Sequence, residues 1–210
     1  MLGPGVLLLV LVWGCGALVR AYAGDVDLAA VRDLAALRDG TLTSVARALS
    51  WLGSGYVVFA LAGLSAFVLL LVRHRLEALL ILIGTFGAAA IENLDKLLVG
   101  RPRPPVRHLE LVTSPSFPSG HATQSAAFYG SALLALLILS PGSGRSRALS
   151  RAAAAAAAAL LVGGVCVSRV YLGVHYPTDV ASGLLLGAVW AALVGRELLR
   201  DRRQDASATR

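Results

Sequence analysis

The sequence predicts an all-α integral membrane protein: a bundle of six transmembrane helices with an N-terminal interfacial amphipathic helix. Apolar runs close to the length of a bilayer crossing recur along the chain, and the charged residues gather between them. Of 210 residues, 57% are hydrophobic and only 15% are charged, whereas soluble domains carry about a quarter charged residues. A hydrocarbon core of about 30 Å needs about 20 residues of helix, and six such runs use most of the chain. One domain, residues 1–210, is therefore expected.

The first run is about Gly3 to Val19, somewhat short for a span. From Asp25 to Trp51 the pattern changes. Leu28, Val31, Leu34 and Leu37 recur at helical spacing among Arg32, Asp33, Arg38 and Asp39, as in a helix lying at the membrane surface. A second short helix is expected around Leu42 to Leu49. Spans follow at about Gly55 to Val72, Leu76 to Leu94, Gly120 to Leu139, Ala152 to Val167 and Val180 to Leu199. The fifth span contains eight consecutive alanines and Gly163-Gly164. Small residues let helices approach closely in lipid, which places this segment inside the bundle. Cys15 and Cys166 lie in apolar runs without metal-ligand spacing and read as small membrane-buried side chains.

The net charge of +7 does not point to nucleic acid, because the cations lie between apolar runs and in the basic tail, about residues 197–210. Arg73, Arg75, Arg145, Arg147, Arg151 and the tail arginines are assigned to the cytoplasmic side by the positive-inside rule. The stretch from Lys96 to Pro118 and the turn from Arg169 to Asp179 then lie on the extracytoplasmic side of the cell inner (plasma) membrane. Lys96 is the only lysine among 19 cations.

Three clusters on that outer side carry chemistry. The first runs from Lys96 to Arg103-Pro104, the second is Pro118-Ser119-Gly120-His121, and the third is Ser168-Arg169 followed by His175 and Asp179. Each sits at the mouth of an expected span. A phosphoryl group in transfer spreads charge over three oxygens, so its catalysis is largely positioning and countercharge. Lys96, Arg103 and Arg169 supply that charge, arginine through a fork that matches phosphate oxygens. Ser119 is placed to cap a helix whose free N–H groups at Gly120 and His121 face an anion. His175 and Asp179, four apart, share a face at a helix start, where a carboxylate would fix the imidazole tautomer. His121 has no carboxylate at that spacing and suits proton transfer to a leaving alkoxide. Arg101 and Arg107 are read as surface or headgroup contacts, His74 and His108 as loop residues, and Tyr171 and Tyr176 as packing or interface anchors. Asp95 has no assigned role.

These clusters resemble the three signature motifs of the PAP2 (type 2 phosphatidic acid phosphatase) superfamily, with every fixed position present and in order. The resemblance covers about Gly55 to Val194. It implies that His175 is a nucleophile that becomes phosphohistidine, that Asp179 orients it, and that His121 protonates the leaving group and then activates water. Lys96, Arg103, Ser119, Gly120 and Arg169 would hold the phosphate, with no metal or other cofactor. The implied activity is hydrolysis of a phosphomonoester or diphosphate on a membrane lipid: polyprenyl diphosphate, phosphatidylglycerophosphate or phosphatidate. Phosphotransfer from the same histidine, or lipid binding or transport without catalysis, are the competing readings. The N-terminal third carries no motif of this family.

Overall fold

The computed structural model describes residues 10–16, 18–19 and 24–208. The expected first span, Gly3 to Val19, lies partly outside them; residues 10–16 and 18–19 are helical. Seven helices follow: α1 (Gly24–Ala36), α2 (Gly40–Leu52), α3 (Gly55–Leu71), α4 (Arg75–Val99), α5 (Gly120–Leu139), α6 (Arg145–Tyr171) and α7 (Pro177–Ala208). Among the described residues there are no strands. Four of these helices, α4 to α7, are long and apolar enough to cross a membrane; α2 and α3, bent by 42° at their junction, make a fifth candidate if taken as one span. The chain is a multi-pass membrane protein.

Local chemistry sets the helix ends. Asp39 caps α2, its carboxylate accepting from the Leu42 N–H at 2.8 Å. Gly100 ends α4 in the left-handed region (φ 56°), its N–H bonded to the Lys96 carbonyl, a conformation that glycine adopts without a Cβ penalty. That turn throws the chain into the proline-rich loop of residues 101–119.

The centre of the bundle is α4, α5 and α7. A Cβ at Gly183 of α7 would lie 2.6 Å from the Ser119 carbonyl, so α7 and the start of α5 meet backbone to backbone. Leu80, Ala88, Ala127, Phe128, Leu186 and Trp190 fill the space between these helices. The Trp190 indole N–H donates to the Ile83 carbonyl at 3.0 Å, so its one polar atom is satisfied in the apolar interior.

The alanine run corrects an expectation. None of residues 152–159 is buried. Helix α6 packs instead through its last third, at Val162, Val165, Cys166, Arg169 and Val170. Alanine permits close approach, but this stretch faces α5 across a cavity of about 310 Å³ lined by Tyr129, Ala132, Ala154, Ala157 and Ala158, so its small side chains leave the space between the helices unfilled. Cys166 is buried inside the protein, and Cys15 is exposed on its surface, each within a helical run.

Candidate active site

Helices α4 and α6 end, and α5 and α7 begin, at one end of the bundle. The loop of residues 101–119 and the turn of residues 172–176 cover this end. There a cavity of about 290 Å³ is lined by Lys96, Arg103, Gly120, His121, Arg169 and His175, together with Gln124 and loop residues 111–114. Six of the eight residues singled out from sequence thus share one cavity. Asp179 stands behind His175, and Ser119 lies beneath the start of α5.

The turn from Leu172 to Tyr176 fixes His175. Gly173 adopts φ 78°, and the Gly173 and Val174 N–H groups bond back to the Val170 and Arg169 carbonyls. His175 is 2% exposed. Its Nδ1 lies 3.6 Å from Asp179 Oδ2, and its Nε2 lies 3.3 Å from an Arg103 nitrogen. Burial lowers the His175 pKa to about 4; the Asp179 carboxylate opposes this, while Arg103 and Arg169 add to it. The ring is therefore neutral at pH 7. Arg103 can only donate, so Nε2 is the unprotonated nitrogen and the proton sits on Nδ1, which at 3.6 Å from Asp179 makes no hydrogen bond with the described residues.

Arg103 reaches the same nitrogen as part of a fixed set of bonds. Its guanidinium donates to the Val174 carbonyl at 2.5 Å and to the Ser114 carbonyl at 2.9 Å. Burial and the neighbouring Arg169 lower its pKa to about 10, so it remains charged at neutral pH. Lys96 pairs with Glu92 at 2.7 Å, and Glu92 also accepts from Gln124 Nε2 at 3.1 Å. The Glu-then-Lys helix pair expected at this spacing thus coexists with a place in the cavity wall. Arg169 is 1% exposed, and one of its nitrogens donates to both Ser50 Oγ and the Glu110 carboxylate.

Ser119 holds the N-cap position of α5 with extended backbone, but its hydroxyl makes no capping bond. The hydroxyl is buried without a hydrogen-bond partner among the described residues, and the Ser119 N–H donates to the Asp179 carbonyl at 3.0 Å. The first N–H groups of α5 have no side-chain cap and lie at the cavity end of the helix.

Arg101 overturns its surface reading. It is 4% exposed and bonds Asp179 Oδ1 at 2.5 Å and Asp27 Oδ2 at 2.7 Å, with its guanidinium carbon 4.0 Å from the Tyr176 ring centroid. Burial works against its charge, but the two carboxylates outweigh burial and raise its pKa. The other Asp179 oxygen accepts from Ser116 Oγ at 2.5 Å and from the Tyr176 N–H at 2.9 Å. The pattern did hold a signal for Asp27: it sits four residues before Val31, on the inward stripe of α1, and these two are the buried residues of that helix. Tyr171 and Tyr176 are buried, Tyr171 bonding to Asp39 and Thr43. Arg107 and His108 are exposed, and His74 lies at the start of α4, as expected.

This is an all-helical membrane protein with paired imidazoles and fixed cations around one cavity. Residues 76–200 match the PAP2 superfamily. The chain is 37% identical over 196 residues to decaprenylphosphoryl-5-phosphoribose phosphatase of Mycobacterium tuberculosis, covering 87% of this chain and 98% of that one. It is 30% identical to phosphatidylglycerophosphatase B of Bacillus subtilis, over 75% of this chain and 76% of that one. The crystal structure of a transmembrane PAP2-type phosphatidylglycerolphosphate phosphatase from Bacillus subtilis superposes with a TM-score of 0.80 at 26% identity, covering 90% of this chain and 93% of that one. The chain belongs to the PAP2 superfamily, and it is a phosphatase of that type.

Proposed function

We propose that this cavity hydrolyses a phosphomonoester at the headgroup end of a membrane lipid, with His175 as nucleophile. The observation that carries the reading is the shared cavity, where His121, His175 and three cations border one space. His175 Nε2 attacks phosphorus, the N–P bond forms, and the P–O bond to the lipid breaks. His121 gives its proton to the departing alkoxide. Asp179 faces the Nδ1–H and stabilises the charge that the ring acquires. In the second half His121 takes a proton from water, the hydroxide attacks phosphorus, and phosphate leaves as the N–P bond breaks. Lys96, Arg103, Arg169 and the N–H groups at Gly120 and His121 hold the phosphate oxygens, and Ser119 Oγ supplies a further donor.

The similarity to the mycobacterial enzyme supports a sugar phosphate carried on a polyprenyl phosphate as the first substrate to test, ahead of phosphatidylglycerophosphate, phosphatidate and polyprenyl diphosphate. We count six spans: α3, crossing without α2, together with α4 to α7, and the expected run at Gly3 to Val19, which lies partly outside the described residues. Helices α1 and α2 lie at the interface, and the cavity faces the extracytoplasmic side of the inner membrane. The exposed arginines at the opposite end support that orientation.

The test is a rapid acid-free quench of purified protein with phosphate-labelled lipid. Label on histidine in the native protein, absent in His175→Ala, is expected. Full turnover by folded His175→Ala would remove the assignment, and label passing to a second lipid with no free phosphate would favour phosphotransfer.

A further inference from the structure

Asp179 is expected to stabilise positive charge on His175, yet the structure sets a full cation against it. Arg101 lies 2.5 Å from Asp179 Oδ1, and both groups are buried. An isolated Arg101–Asp179 pair would be neutral, and Asp179 would have little net charge to offer the imidazole. Asp27 changes that balance. It is 3% exposed, lies 2.7 Å from Arg101, and accepts from the Thr178 N–H at 3.2 Å and from the Thr178 hydroxyl. Two carboxylates therefore share one guanidinium, and the cluster keeps one negative charge directed at His175.

Resting on the nucleophile reading above, we propose that Asp27 and Arg101 are positioning residues: Arg101 fixes the Asp179 carboxylate, and Asp27 offsets the Arg101 charge so that Asp179 can stabilise the His175 cation. The N-terminal helix α1, which carries no motif of the family, is then part of the catalytic machinery. The covalent chemistry is unchanged. The effect falls on the charged intermediate and not on substrate capture, because Asp27 does not line the cavity. It acts against a fixed background, since His175 also faces Arg103 from the loop, Arg169 from α6 and His121 from α5, with Lys96 of α4 in the same wall.

The experiment compares native protein with Asp27→Asn, Asp27→Ser, Asp27→Glu and Thr178→Val in detergent micelles. Phosphohistidine burst amplitude counts competent sites, so kcat is expressed per site. Both neutral variants should lower kcat about tenfold, the effect of roughly one pKa unit of lost countercharge, with KM within about twofold. The acid limb of kcat/KM should move to lower pH, because a lost anion makes the imidazolium harder to form. Asp27→Glu and Thr178→Val keep the charge and should stay within about threefold of native. A purely structural clasp predicts a smaller burst with unchanged kcat per site in the neutral variants, and equal damage from Thr178→Val; either result overturns the proposal. Retained turnover in His175→Ala would instead remove the nucleophile reading beneath it.

Discussion

The cavity and the far end of the bundle use arginine in opposite ways, while Arg47 and Arg107 beside the cavity are exposed like those of the far end. At the cavity end Arg101 and Arg169 are almost wholly buried, and Arg103 is bonded to Val174 and Ser114. At the other end Arg73, Arg75, Arg145, Arg147, Arg196 and Arg200 are exposed. Buried guanidinium costs several kcal/mol in desolvation and persists only where carboxylates and carbonyls satisfy it. Exposed guanidinium costs little and meets water or lipid headgroups. The number of arginines on each side therefore says less than what each one touches. One set shapes a site, and the other answers to the membrane.

The contrast can be broken most severely at the cavity. His175→Ala removes the ring whose two nitrogens face Asp179 and Arg103, and kcat should fall by about 10⁴, measured as lipid turnover by folded protein. Activity above a tenth of native would show that the cavity works by another route. Arg103→Ala comes next. On the proposed reading it loses a preorganised phosphate donor, together with the bond that holds Val174 beside His175, so kcat/KM should fall about 10² to 10³. Arg103→Lys keeps charge but not the fork, and recovery by more than about a tenth of native would show that charge alone suffices. Vanadate, which adopts the five-coordinate geometry of the phosphorus under attack, should inhibit native protein and bind far more weakly to Arg103→Ala. Equal inhibition of both would place the anion elsewhere.

Much of this arrangement was legible in the sequence, and the misses share a cause. Helices α4, α5 and α7 matched their apolar runs because length and hydropathy are local properties. The cavity residues were legible because their chemistry is rare beside membrane spans. Arg101 was misread because its partners, Asp27 and Asp179, lie 74 and 78 residues away, and no local pattern reports so distant a pairing. The alanine run was misplaced for a related reason. Small side chains permit close packing, but which helices meet is decided by the whole bundle. Glu110, bonded to Arg169 across 59 residues, was missed in the same way.

The smallest expected effect lies at the far end, and it sharpens the comparison. Arg73 follows α3 with φ 65°, the only residue other than glycine with positive φ among those described. Its N–H bonds the Leu70 carbonyl at 3.1 Å, and the next N–H, from His74, bonds Leu69 at 2.8 Å. This is the left-handed helix end that glycine fills most easily. Its side chain is exposed and makes no hydrogen bond or ion pair with the described residues. Arg73→Gly relieves a backbone cost of about 1–2 kcal/mol and gives back part of it through the greater freedom of glycine in the unfolded chain. A net gain of about 0.5–1 kcal/mol is expected, read as a higher midpoint of thermal unfolding in micelles, with kcat/KM within about twofold of native. A lower midpoint would mean that this arginine contributes a contact of its own, and that the two ends of the bundle differ less than their burial implies.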